Sequence, residues 1–87
     1  MTENFVQAEN FKKINGKKGK VMVEHQLWGK QVFSCEEIVV VEDDNRLGVC
    51  IQGHDVYVHK NDIRLYKQHE RMIIAADRTV QLTIIYE

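Results

Sequence analysis

The clearest pattern in the chain lies over residues 38–63. Ile38, Val39, Val40 and Val41 form a continuous β-branched run, apolar on both faces of a strand and poorly suited to a helix. A polar cluster, Glu42 to Arg46, follows as a turn. Leu47, Val49 and Ile51 then alternate with Gly48, Cys50 and Gln52. Gly53-His54 reads as a two-residue hairpin loop with glycine first, as a type II′ turn requires. Asp55–Lys60 forms the next strand, with Val56 and Val58 on one face, and Asn61-Asp62 turns the chain into Ile63–Tyr66.

The flanking segments extend the same pattern. Lys20–Leu27 alternates, with Val21 and Val23 on one side and Met22 and Glu24 on the other. Trp28-Gly29-Lys30 turns into a long second strand, Gln31 to Glu42, whose length calls for a bulge or bend near Ser34–Glu37. Lys67–Arg71 reads as a polar loop, and Asp77-Arg78 separates Met72–Ala76 from Thr79–Tyr86. Val80, Leu82, Ile84 and Tyr86 give the most regular period-two stretch. Ile85 interrupts its polar face and reads as an exposed edge or interface position. Residues 2–14 fit a short helix capped by Thr2, with a thin apolar stripe of Phe5, Ala8, Phe11 and Ile14.

Six or seven short strands at hairpin spacing predict an all-β fold, an antiparallel meander closed into a small barrel or rolled into a sandwich. No helix of crossover length separates the strands, which argues against a parallel sheet. The 87 residues are read as one domain, with a helix and basic arm over 1–19 and the β-domain over 20–87.

Charge adds one asymmetry. Residues 1–30 carry six Lys against three Glu, and residues 31–87 carry six Lys or Arg against ten Asp or Glu. Lys12, Lys13, Lys17, Lys18 and Lys20 cluster and would suit a phosphate-binding arm, joined by Arg64 and Lys67. A solvated connector accounts for the same lysines. No apolar run reaches the roughly 20 residues of a membrane span. The first residues lack the order of a secretory signal, so a cytoplasmic protein without a membrane span is expected.

The candidate chemistry is sparse. If residues 43–46 close a hairpin, Cys50 faces Val39 and Cys35 faces His54. The two thiols then lie roughly 13 Å apart at about 3.3 Å per residue, beyond disulfide reach, and are expected buried and reduced. Cys35 beside His54 would be a nucleophile and base, but no orienting acid or oxyanion donor accompanies them. His54 and His59 point to opposite strand faces, and no CxxC supports a zinc site. There is no Gly-rich phosphate loop, GxSxG or HExxH. A non-enzymatic protein without a cofactor is expected. Trp28, Tyr66 and Ile85 are its candidate protein-interface residues.

From Gly29 onward the order of features resembles the YabP/YqfC family of small sporulation proteins. The likeness is carried by Gly29–Val32, Glu36–Val41, Leu47–Gly53, Val56 with Val58, Met72-Ile73-Ile74 and Val80–Tyr86. It spans residues 29–86, and Asp77 stands where that family's pattern has a glycine. The resemblance implies a β-rich, non-catalytic protein acting through protein contacts in sporulating Gram-positive bacteria. The expected partner is therefore a protein or a second copy of the chain. The alternatives are an Sm-like or SH3-like nucleic-acid-binding barrel, and a small phage or mobile-element protein that inhibits a host factor.

Overall fold

The computed structural model describes residues 11–87. They form an all-β fold of eight strands, one or two more than the pattern predicts. The strands are β1 (Gly19–His25), β2 (Gly29–Cys35), β3 (Val39–Glu42) and β4 (Arg46–Ile51), then β5 (His54–His59), β6 (Leu65–His69), β7 (Met72–Ala76) and β8 (Val80–Tyr86). A 3-10 turn, Lys60–Asp62, joins β5 to β6. All pairings are antiparallel. One sheet has five strands in the order β2-β1-β8-β7-β6, the other three in the order β3-β4-β5.

The two sheets face each other across one core. Val21, Ile73, Leu82 and Ile84 project from the larger sheet against Leu47, Val49, Ile51 and Val58 of the smaller. Burial of these aliphatic side chains is the main stabilising term, roughly 1.5–3 kcal/mol each. Phe11 and Ile14, both fully buried, belong to the same cluster. Residues 11 and 12 are helical and pass directly into a turn; the rest of the predicted helix lies almost entirely outside the described residues.

The long second strand of the sequence reading is two strands in different sheets. The break falls at Glu36–Ile38 and has a local cause. The Ile38 N–H donates to Lys17 O at 2.8 Å, Ile38 O accepts from the Gly16 N–H at 2.7 Å, and Asn15 Oδ1 accepts from the Val40 N–H at 2.9 Å. The segment before β1 therefore takes the backbone groups that a continuous strand would offer to a neighbour, and Ile38 turns into the core. The same break corrects the proposed cysteine environment. Cys35 stands opposite Gly19 in the larger sheet, while His54 pairs with Ile51 in the smaller. Both thiols are free and half-buried.

Two further details differ from the sequence reading. The β4–β5 loop is Gln52-Gly53, because Ile51 pairs with His54. Both loop residues have positive φ, 53° and 85°; this is a type I′ turn with glycine second. The fifth predicted strand starts later and runs further, to His69, so much of the expected 67–71 loop is β6. At the β3–β4 turn, Asp43 Oδ1 accepts from the N–H groups of Asn45 and Arg46, both at 2.8 Å.

Candidate functional site

The sheets do not close into a single barrel. Among the described residues β2 and β5 are edge strands, and between them lies a cleft of about 700 Å³. Its floor follows from strand alternation. Val23 on β1, Phe33 on β2, Val56 on β5 and Val80 on β8 point inward and line it, packed at the margin of the core. Tyr57 and His54 contribute from β5, and Gln31 from β2. A pocket with an apolar floor and a few polar rim groups is the usual form of a binding site.

The β1–β2 hairpin tip stands at the mouth. Leu27 and Trp28 are each 80% exposed, a large apolar surface to leave in water. The tip is shaped locally: Gly29 takes φ +86°, a left-handed conformation that favours glycine. The Leu27 N–H donates to His25 Nδ1 at 3.0 Å. Neutral His25 then carries its proton on Nε2, and its ring stacks on Trp28 with centroids 4.4 Å apart. Trp28 is thus presented rather than loosely tethered.

Asp77, which by its place in the sequence is a turn residue between the last two strands, fixes the far wall of the cleft. Its side chain is 2% exposed. Oδ1 accepts from the N–H groups of Thr79 and Val80, both at 2.9 Å, and from Thr79 Oγ1 at 3.2 Å. Oδ2 accepts from the His59 N–H at 3.0 Å and lies 3.2 Å from His59 Nδ1. Burial alone would raise its pKa, but these donors outweigh it and hold the carboxyl at about 2. Asp77 therefore both caps the β7–β8 turn and ties the two sheets together. The D-x-T spacing of Asp77 and Thr79 is a readable sign of the turn; the cross-sheet bond to His59 is not readable. A second carboxylate, Glu42, is held below its usual range by Lys60 and then Lys12.

The larger sheet has an unusual outer face. Strand register sets Val32, Met22, Thr83, Ile74 and Lys67 in one row across it. The next row is Ser34, Lys20, Ile85, Met72 and His69. Solvated faces of antiparallel sheets are normally polar; here Val32 is 54% and Ile85 48% exposed.

The sequence-predicted candidates fall in separate places. Lys12 pairs with Glu42 at 3.0 Å. Lys13, Lys17 and Lys18 are exposed on the segment leading into β1, which is anchored by Ile14 and by the Ile38 backbone bonds rather than hanging free. Lys20, Lys67 and Ile85 share the outer face of the larger sheet. Arg64 lies before β6, with Nε 3.5 Å from Asp62 Oδ1. Tyr66 points to the inner face and packs against the core; burial, then Tyr86, push its hydroxyl up to about 12. Trp28 alone of them is at the cleft. Cys35 is also drawn inward, and burial raises its thiol pKa, which disfavours the reactive thiolate.

Comparison with protein-family models, curated proteins and solved structures finds no match. Among the described residues no helix is long and apolar enough to cross a membrane.

Proposed function

We propose that this chain is a non-enzymatic protein-binding domain that takes an extended apolar segment of a partner protein into the cleft between β2 and β5. The observation that carries this reading is the juxtaposition of an apolar floor with two strands, β2 and β5, that end their sheets among the described residues. An added strand would pair along such an edge while its alternate side chains enter the cleft. Trp28 at the mouth supplies the kind of aromatic anchor that dominates interface energies. The cleft carries no Lys or Arg, which disfavours a phosphate-bearing ligand. Its carboxylates are engaged structurally, Asp77 as above and Asp55 with Arg46 at 3.6 Å, which favours recognition over acid–base chemistry. The likeness to YabP/YqfC proteins supports the same mode of action, through protein contacts.

Trp28 is the chain's one tryptophan, so binding can be read directly. Peptides selected from a random display library should shift Trp28 emission to the blue on titration. Trp28→Ala should weaken them at least tenfold, followed by competition with a labelled peptide, and Val56→Asp should abolish binding in a chain that still melts cooperatively. Peptides that bind both variants as tightly as the parent chain would overturn the reading.

One observation favours a second reading. Lys13, Lys17, Lys18 and Lys20 are exposed and make no ion pair among the described residues. A nucleic-acid surface there should bind a fluorescein-labelled single-stranded oligonucleotide at 20 mM salt and lose affinity steeply by about 200 mM, with a slope set by the phosphates contacted. A flat titration at low salt would exclude it.

A further inference from the structure

Three of the chain's four histidines line the cleft, His25 from β1 and His54 and His59 from β5. Among the described residues no Lys or Arg lines it. We infer that the cleft is a pH-gated site: a proton on His25 frees the tip that presents Trp28, so a partner held at neutral pH is released in mild acid. This rests on the reading of the cleft as a peptide site and adds its regulation. Imidazole is the side chain whose charge ordinarily changes between about pH 5 and 8, which sets the working range.

The gate is one ring nitrogen. His25 ends β1, opposite Gly29 on one side and Val80 on the other. The Gln26 N–H donates to Thr79 O at 3.2 Å, which ties the base of the tip to the β7–β8 turn. Beyond it, Leu27 and Trp28 both rest on the His25 ring. The Leu27 N–H donates to Nδ1 at 3.0 Å, and the indole stacks with 16° between the ring planes. That arrangement needs a lone pair on Nδ1. An imidazolium carries a proton on each nitrogen and accepts on neither, so no flip of the ring restores the bond. The Leu27 N–H then turns to water, and the ring pair loses its fixed place on the tip. Attraction of a cation for the indole face keeps the two rings together, but it does not hold them at the mouth. A partner must then order an anchor that was set in advance.

Charge acts in the same direction. An apolar segment entering the cleft has to strip water from the imidazolium. The charged groups around His25 do not offset that cost. On β5, His59 Nδ1 lies 3.2 Å from Asp77 Oδ2, and Asp55 pairs with Arg46 at 3.6 Å. Glu24, next to His25 on β1, stands opposite Lys30 of β2. Arg78 of the β7–β8 turn lies 3.5 Å from Asp62 Oδ2. None of these carboxylates forms an ion pair with His25 among the described residues. A proton on His59 is taken up by Asp77 and tightens the tie between the sheets. His54 follows the β4–β5 loop and adds charge to the rim without touching Trp28.

The experiment uses the full chain labelled with 15N, first without ligand, between pH 8 and 5. At pH 8 the His25 Nδ1 signal should fall where a proton-free imidazole nitrogen resonates. On acidification the Leu27 amide and Trp28 indole signals should move together with the His25 ring. Affinity is then followed by anisotropy of a labelled peptide selected at pH 7.5 and free of His, Asp and Glu, so that only the chain titrates. It should fall about tenfold between pH 7.5 and 5.5, and by reciprocity saturating peptide should keep His25 neutral to a lower pH. His25→Asn supplies an oxygen that accepts from the N–H two residues on at any pH, so its fall should be less than about threefold. His54→Asn should fall nearly as far as the parent, and all three chains should still melt cooperatively at pH 5.5. The inference is overturned if Nδ1 carries the proton at pH 8, if the Leu27 amide stays still while His25 titrates, or if His25→Asn releases the peptide in acid as steeply as the parent. The two failures are distinguishable. A library that yields no peptide at pH 7.5 fails the cleft reading, and release with it, whereas the ligand-free titration by itself supports or overturns the coupling of the tip to His25.

Discussion

Replacing Gly48 with alanine is expected to destabilise the chain by about 3 kcal/mol or more, the upper range for forcing atoms into a packed site. Gly48 lies on β4 opposite Tyr57 of β5. A Cβ there would sit 2.0 Å from Val56 O and 2.5 Å from Tyr57 Cα. Both are backbone atoms of a paired strand, so no side-chain rotation relieves the clash; β5 must move, and with it one wall of the cleft. At about 4–8 °C per kcal/mol for a domain of this size, the melting temperature should fall by roughly 12–24 °C. Gly53→Ala is the informative comparison. Gly53 has open space around it but φ of +85°, so alanine there meets only left-handed strain, about 1–2 kcal/mol. If the two variants melt together, the close approach of β4 and β5 is not what holds the smaller sheet in shape.

Asp77→Ala is expected to cost about 1–3 kcal/mol, because it removes the carboxylate that accepts from the N–H groups of His59, Thr79 and Val80. Acid should reproduce part of that loss in the parent chain. The folded pKa of Asp77, about 2, is lower than the roughly 3.9 of an unfolded aspartate. Its contribution is therefore complete above about pH 4 and is lost as pH falls toward 2, a change of about 2–3 kcal/mol. Glu42 is lowered as well and acts in the same direction, so the acid response of the parent chain alone does not isolate Asp77. The difference between the parent and Asp77→Asn does. Urea unfolding at pH 7, 4 and 2.5 should show that difference shrinking with acid. Parallel behaviour of the two chains at all three pH values would show that the carboxylate charge is not what joins the sheets.

Much of the smaller sheet was legible from residue order alone. The polar cluster at 43–46 puts Glu42 opposite Leu47 and Val39 opposite Cys50, which is the register found. Hairpin pairing is local, and turn chemistry sets it. The larger sheet was legible only as strands. Its order depends on β8 returning to β1, with Gly19 opposite Tyr86, and no local signal encodes that. The division of residues 31–42 into two strands was hidden for a similar reason: Gly16 and Lys17, some twenty residues earlier, take the backbone bonds of Ile38. The same limit applied to function. Trp28 and Ile85 could be singled out as apolar residues at polar positions. The cleft could not, since it exists only because β2 and β5 become edges. Gly48 read as one alternating strand position among others, and its need for close backbone approach appears only once Tyr57 is opposite it.

The position of β8 has a consequence for how the chain is made. During synthesis the β3-β4-β5 meander can pair as soon as it leaves the ribosome, because each strand's neighbour is already present or next to arrive. The β1–β2 hairpin emerges first, but its other neighbour comes last. Val21, Val23 and Phe33 must wait uncovered while more than forty further residues are translated. Until then the nascent chain carries a sticky leading hairpin beside a finished sheet. Arrival of β8 joins β1 to β7 in one step, so the larger sheet should gain its order late and all at once.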